Sequence, residues 1–175
     1  MLERRRMVLG MGLAAFGCLL LPPLVSAAAD PLPKPKGEII LIITGAIGIT
    51  NGDGMAAFDL AMLEALPARQ FVSETPWTRG LHTFTGVPLK VLMARVGASG
   101  RTITATALND YTAEIPIDDG ERFELMVAYL LDGQPMLPSD RGPLWTVYPF
   151  SNRPETRTET YYMRSVWTLE SFRVH

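Results

Sequence analysis

A chain of 175 residues argues for one domain, and its 47% apolar and 19% charged content excludes a disordered polymer. The formal charge of −2 removes the blanket electrostatic case for nucleic acid. One cysteine and two histidines exclude a disulfide framework and a Cys/His zinc site within one chain.

Arg4, Arg5 and Arg6 precede an almost wholly apolar run from Met7 to Leu21, closed by Pro22 and Pro23. Val25-Ser26-Ala27 then sets small residues where a signal peptidase cuts. This pattern predicts a signal peptide over residues 1–27 and export of the rest. The paired arginines leave both Sec and twin-arginine routes open. Cleavage there removes Cys18, three of the 16 basic residues and one of the 18 acidic ones, leaving a cysteine-free chain of charge −4.

Residues 28–37 hold Pro31, Pro33 and Pro35 and read as an extended leader or tether. The domain proper then runs from 38 to 175. Glu38 to Thr44 carries the run Ile39-Ile40-Leu41-Ile42-Ile43, which suits a strand buried on both faces. Asn51-Gly52-Asp53-Gly54 is a turn cluster. Asp59 is placed to cap a short helix over Leu60–Leu66, ended by Pro67. Gln70 to Glu74 reads as extended, and His82 as part of a loop before Phe84 and Gly86. Pro88 suits the first turn of a helix over Leu89–Val96, with Gly97 at its stop.

Thr102, Thr104 and Thr106 alternate with Ile103, Ala105 and Ala107, a period of two. With Tyr111 to Ile117 they predict a hairpin around Asn109-Asp110. Asp119, Glu121 and Arg122 read as a solvated turn. Glu124 to Leu131, closed by Asp132-Gly133, is a further strand, as are Leu144–Tyr148 and Trp167–Val174. Trp145 and Trp167 lie in these apolar strands and read as core; His175 is expected to fray. Strands outnumber short helices, so the fold class is α+β, single-domain, with sheets carrying the core.

The chemical motifs are sparse. Gly45, Gly48, Gly52 and Gly54 do not give the spacing of a dinucleotide loop. Asn51 and Asp53 lack the distal acid of a calcium loop. No G-x-S-x-G elbow accompanies His82. Trp77 is different: it stands in Glu74-Thr75-Pro76-Trp77-Thr78-Arg79-Gly80, where no amphipathic period demands a large ring. A loop tryptophan packed as a satellite of the core is one reading. A flat heterocycle stacked on the indole, its edge read by nearby polar groups, is the other. Asp140-Arg141-Gly142-Pro143 forms a second polar loop.

Several segments, taken together and in order, resemble the sulfite-oxidase-type molybdopterin-binding fold. They are Ile42-Ile43-Thr44-Gly45-Ala46-Ile47, Trp77 with Phe84-Thr85-Gly86-Val87-Pro88-Leu89-Lys90-Val91-Leu92, Leu131-Asp132-Gly133-Gln134-Pro135-Met136, Asp140-Arg141-Gly142-Pro143 with Val147-Tyr148-Pro149, and Trp167-Thr168-Leu169. Enzymes of that family hold molybdenum through a cysteine a few residues before the tryptophan matching Trp77. Here Ser73 stands at about that place, and a hydroxyl is a poor substitute for a soft thiolate.

Exported, cysteine-free members resemble the periplasmic pterin-binding regulators (PruR-like). That resemblance implies a periplasmic, non-catalytic protein that binds a reduced pterin, tetrahydromonapterin- or biopterin-like, with no molybdenum. It implies as partner the periplasmic domain of an inner-membrane diguanylate cyclase/phosphodiesterase, and a role in cyclic di-GMP signalling and biofilm regulation. Trp77 would stack on the pterin. Glu74, Thr75, Arg79, Asp140 and Arg141 are the polar candidates for its edge: a carboxylate accepts from the ring amino and N–H groups, an arginine donates to the carbonyl. Replacing Trp77 with alanine is expected to remove the ligand and leave the fold intact. The alternatives are a molybdopterin-dependent oxidoreductase with an atypical metal shell and a plain interaction module.

Overall fold

Alternation along Ile39-Ile40-Leu41-Ile42-Ile43 sends Leu41 and Ile43 into full burial and leaves Ile40 and Ile42 half-covered. The computed structural model describes residues 31–175. The run forms β1 (Ile39–Gly45), and β2 (Ala56–Asp59) pairs antiparallel with it. Helix α1 (Leu60–Glu64) follows, and β3 (Arg69–Ser73) leads away from it. Strand β4 (His82–Pro88) runs into α2 (Leu89–Arg95). The hairpin is β5 (Thr102–Ala107) with β6 (Thr112–Pro116), Thr104 facing Glu114 and Ala105 facing Ala113. After α3 (Asp119–Arg122) come β7 (Met126–Leu131), β8 (Gln134–Pro135), β9 (Trp145–Val147), α4 (Glu159–Met163) and β10 (Leu169–Val174).

Two five-stranded sheets result. The first has the order β2-β1-β10-β5-β6, with β1 and β10 parallel and the other pairs antiparallel. The second runs β3-β4-β7-β8, and β9 pairs with β7 through Met126–Ala128. The main core includes Leu41, Leu92, Ile103, Val127, Leu169 and Phe172, contributed by both sheets and α2. A smaller cluster of Phe84, Met126, Ala128, Met136, Trp145 and Val147 lies within the second sheet's share. Among the described residues the helices are short and no helix is long and apolar enough to cross a membrane. The architecture is α+β, single-domain and mixed-sheet.

Asp59 caps α1, accepting from the Met62 amide at 2.8 Å, and its other oxygen accepts from the amides of Lys36 and Gly37. These donors hold its carboxyl below the usual range. The described part of the leader, residues 31–37, is thus held against the domain. Leu32 is buried, and the Pro33 carbonyl accepts from Asn51 Nδ2 at 2.7 Å. Predicted residues 1–27 lie outside the described part.

Four further expectations need correction. His82 opens strand β4 rather than sitting in a loop. The segment pairs on both sides, with β3 and with β7. Gly86 is needed there: a Cβ would lie 2.1 Å from the Val127 carbonyl oxygen, where the register with β7 shifts. Asp119 is no solvated turn residue; it is 3% exposed and accepts from the Tyr148 hydroxyl at 2.6 Å and from Arg164 Nη1 at 3.0 Å. Burial first, then the Asp119 carboxylate, pushes the Tyr148 phenol far above its ordinary value. His175 does not fray, because its amide donates to the Thr102 carbonyl and its carbonyl accepts from the Arg101 amide. Trp167 is not core but half-buried at a cavity wall.

Candidate functional site

Strand β3 delivers the Trp77 loop and a clip at its end fixes it. Ser73 is fully buried; its hydroxyl donates to the Glu74 carbonyl at 2.8 Å and accepts from the Ser151 amide at 3.0 Å. Ser151 Oγ in turn accepts from the Glu74 amide at 2.9 Å. The loop then turns on Thr75, whose Oγ1 accepts from the Trp77 amide and bonds the Thr78 hydroxyl. At its far end, His82 faces the Arg79 carbonyl.

The Trp77 indole is half-buried in a nest of rings. Centroids of Trp145, Tyr162, Trp167 and Phe150 lie 5.8, 6.0, 6.1 and 6.4 Å away, Trp145 and Tyr162 edge-on. It touches both core clusters, so it is a bridge between them. It also faces outward. Trp77, Tyr162 and Trp167 wall a cavity of about 380 Å³, completed by Asn109, Tyr111, Glu159, Met163 and Ser165. Pockets for small ligands span about 300–1,000 Å³ and are mainly apolar with a few polar groups, so the size and lining suit a bicyclic guest. The Tyr111 hydroxyl donates to the Met163 carbonyl at 2.8 Å and ties the β5–β6 turn to α4 across the cavity.

Arg141 braces the site from behind. Its Nη2 donates to the Trp77 carbonyl at 2.8 Å, its Nη1 pairs with Asp140, and its guanidinium carbon lies 5.8 and 5.7 Å from the Trp145 and Trp167 ring centres. The backbone at Arg141 is left-handed, with φ of 67°. That turn lets its carbonyl accept from the Thr168 amide at 2.9 Å, next to Trp167.

The structure thus gathers Trp77, Asp140 and Arg141 around Trp167. It does not bring the other three sequence candidates to the cavity. Thr75 is buried with its hydroxyl committed within the loop. Glu74 and Arg79 are exposed and line neither hollow next to Trp167. The carboxylate that does line the Trp77 cavity is Glu159, in the first turn of α4. Sequence reasoning missed Glu159, Tyr162, Asn109 and Tyr111. A signal existed for Tyr162: the pair Tyr161-Tyr162 stands among Glu159, Thr160 and Arg164, the same mismatch of ring and polar surroundings that singled out Trp77.

The site's polar groups do not fit a molybdenum centre. Among the described residues there is no cysteine, and no group of three His, Cys, Asp or Glu side chains is placed to hold a metal. Ser73 Oγ is engaged with protein groups and shielded from solvent. Cys18 lies outside the described residues.

His82 reports on the loop's electrostatics. Nδ1 lies 2.7 Å from Asp132 Oδ2 and Nε2 lies 3.0 Å from the Arg79 carbonyl oxygen. Both neighbours are acceptors, so only the imidazolium satisfies both. The Asp132 hydrogen bond raises the imidazole pKa above 6.5, against burial and the Arg141 charge. A raised folded-state pKa contributes stability fully below 6.5 and loses it as pH rises through the folded value. The melting-temperature advantage of the wild-type protein over His82→Gln is therefore expected to shrink from pH 6 to pH 8. Exposure of the pair limits the change to about 2 °C; an advantage that grows with pH would contradict the assignment.

A family model described as oxidoreductase molybdopterin binding domain matches residues 60–151. Among solved structures, the sulfane dehydrogenase SoxCD from Paracoccus pantotrophus is similar, with 17% identity and a TM-score of 0.58. The match covers 77% of this chain and 37% of that one, so the chain spans well under half of its length, and the likeness speaks to fold alone. No curated protein matches the chain.

Proposed function

The chain belongs to the oxidoreductase molybdopterin binding domain family, and from that premise we propose that it binds a reduced pterin without turning it over. The protein is exported to the periplasm. It relays pterin availability to the periplasmic domain of an inner-membrane diguanylate cyclase/phosphodiesterase.

The observation that carries this reading is the cavity of about 380 Å³ lined by four aromatic side chains, Trp77, Tyr111, Tyr162 and Trp167. Pterin is the ring system of molybdopterin, so the family's recognition of a pterin ring survives without its metal. Ser73, standing where the family's thiolate is expected, supports loss of the metal centre, because its hydroxyl clips the loop. The ring edge pairs with groups at the cavity rim. Glu159 accepts from the amino and ring N–H groups, and the Asn109 side-chain amide donates to the carbonyl.

Purification from a periplasmic extract tests the reading directly. The expected result is a co-purifying pterin, identified by mass spectrometry and fluorescence, with molybdenum far below one atom per chain. Stoichiometric molybdenum with dye-linked reductase activity would overturn it in favour of a molybdopterin-dependent oxidoreductase.

A further inference from the structure

The described leader and α1 form two sides of a groove that shares no lining residue with the Trp77 cavity. It encloses about 380 Å³ over a floor of Leu32, Phe58, Met62 and Leu66. Leu32 and Phe58 are buried, Met62 and Leu66 half-buried. That size and apolar lining lie within the range of small-molecule sites.

The charges around this floor favour an anion. Lys34 and Lys36 are exposed on the leader side. Arg95 closes α2 beside them, its Nη2 donating to the Pro31 carbonyl at 3.1 Å. The one carboxylate in the lining, Asp59, is buried, and its oxygens already accept from the amides of Lys36, Gly37 and Met62. Three cations thus surround an apolar floor against one carboxylate that is already saturated.

The apolar surface continues beyond the groove. A neighbouring hollow of about 550 Å³ shares Lys36, Asp59 and Ala61 with it and adds Ile40, Leu60, Tyr129 and Met136. Ala61 is exposed, and its methyl group presents little obstruction between the two. Glu38 and Glu64 line this second hollow, so a negative head is directed to the lysine end and an apolar tail away from it. Cations set around a concave apolar floor match a narrow chain charged at one end better than a flat charged surface.

We propose that the groove between the leader and α1 binds a single-chain amphiphile with an anionic head, of the fatty-acid class. The head lies at Lys34 and Lys36, and the chain runs over Met62 and Ala61. The site is separate from the one proposed for the pterin.

Calorimetry of the mature protein with decanoate at neutral pH tests this, with decan-1-ol and decyltrimethylammonium as probes of the head. Decanoate is expected to bind about tenfold more tightly than decan-1-ol, and the ammonium compound more weakly than either. Reversing both charges, Lys34→Glu with Lys36→Glu, is expected to weaken decanoate by about tenfold and to leave decan-1-ol within about twofold. Ala61→Trp fills the junction and is expected to weaken both; Ala65→Trp, also exposed on the groove, is the second filling variant, and thermal melts check that each variant folds. Equal affinity for decanoate and decan-1-ol, or decanoate binding unchanged in the lysine variant, overturns the proposal. Absence of decanoate binding also overturns it; binding to phosphatidylglycerol vesicles alone, or a dimer abolished by Ala61→Trp, then identifies a membrane or a second copy as the occupant. The pterin reading stands under each of these outcomes.

Discussion

Alanine in place of Trp77 is expected to weaken binding of 6-methyltetrahydropterin by about 5- to 150-fold, corresponding to the roughly 1–3 kcal/mol of one base–aromatic stack. The ring is also structural, as the satellite-core reading of the sequence allowed. Its neighbours are Trp145, Phe150, Tyr162 and Trp167, and it joins two core clusters. Truncation therefore also costs about 2–4 kcal/mol of stability, contrary to the expectation of an untouched fold. Trp77→Phe separates the two effects, keeping a ring in the nest with a smaller stacking face. Calorimetry and thermal melts on both variants decide the matter. Unchanged affinity in a folded Trp77→Ala protein would remove Trp77 from the binding site.

The second large effect lies away from the cavity. Asp119→Ala is expected to destabilise the protein by about 3–5 kcal/mol, because it leaves the buried Tyr148 hydroxyl without its acceptor and Arg164 without its partner. That is a large part of a typical total of about 5–15 kcal/mol. Tyr148→Phe removes one hydrogen bond and is expected to cost about 1 kcal/mol. Urea denaturation of both variants gives the comparison. If Asp119→Ala came within 1 kcal/mol of wild type, the buried pair would be shown to contribute little. The network also touches the site: Arg164 directly follows α4, which supplies Tyr162 and Glu159 to the cavity.

Local chemistry made parts of this molecule legible. Asp59 before an apolar turn predicted a cap, and the cap forms. Alternation through Thr102–Ala107, with Asn109-Asp110 beyond it, predicted the hairpin and its turn. What failed depends on partners distant in the chain. Asp118-Asp119-Gly120-Glu121-Arg122 reads as solvated by any local rule, and only Tyr148 and Arg164, 29 and 45 residues away, make burial of Asp119 tolerable. β2 holds two alanines with little strand preference and exists because β1 pairs with it. α4 has five residues, too few for a period to register. At the site, a polar-flanked tryptophan was visible, but which polar groups accompany it was not. Sequence adjacency pointed to Glu74, Thr75 and Arg79, whereas the fold supplies the wall from a turn at Asn109, a helix at Glu159 and the approach to β10 at Trp167.

The position of β10 has a consequence for how the chain assembles. It lies between β1 and β5, joined to β1 at Ile42–Ser171 and to β5 at Phe172–Ala105. Until residues 169–174 have been synthesised, the β1–β2 pair and the β5–β6 hairpin have no common neighbour, and the first sheet exists as two separate ribbons. Closing them brings together segments far apart in the chain, a topology that folds slowly. A polypeptide truncated before residue 169 lacks this central strand and should be readily digested by proteases.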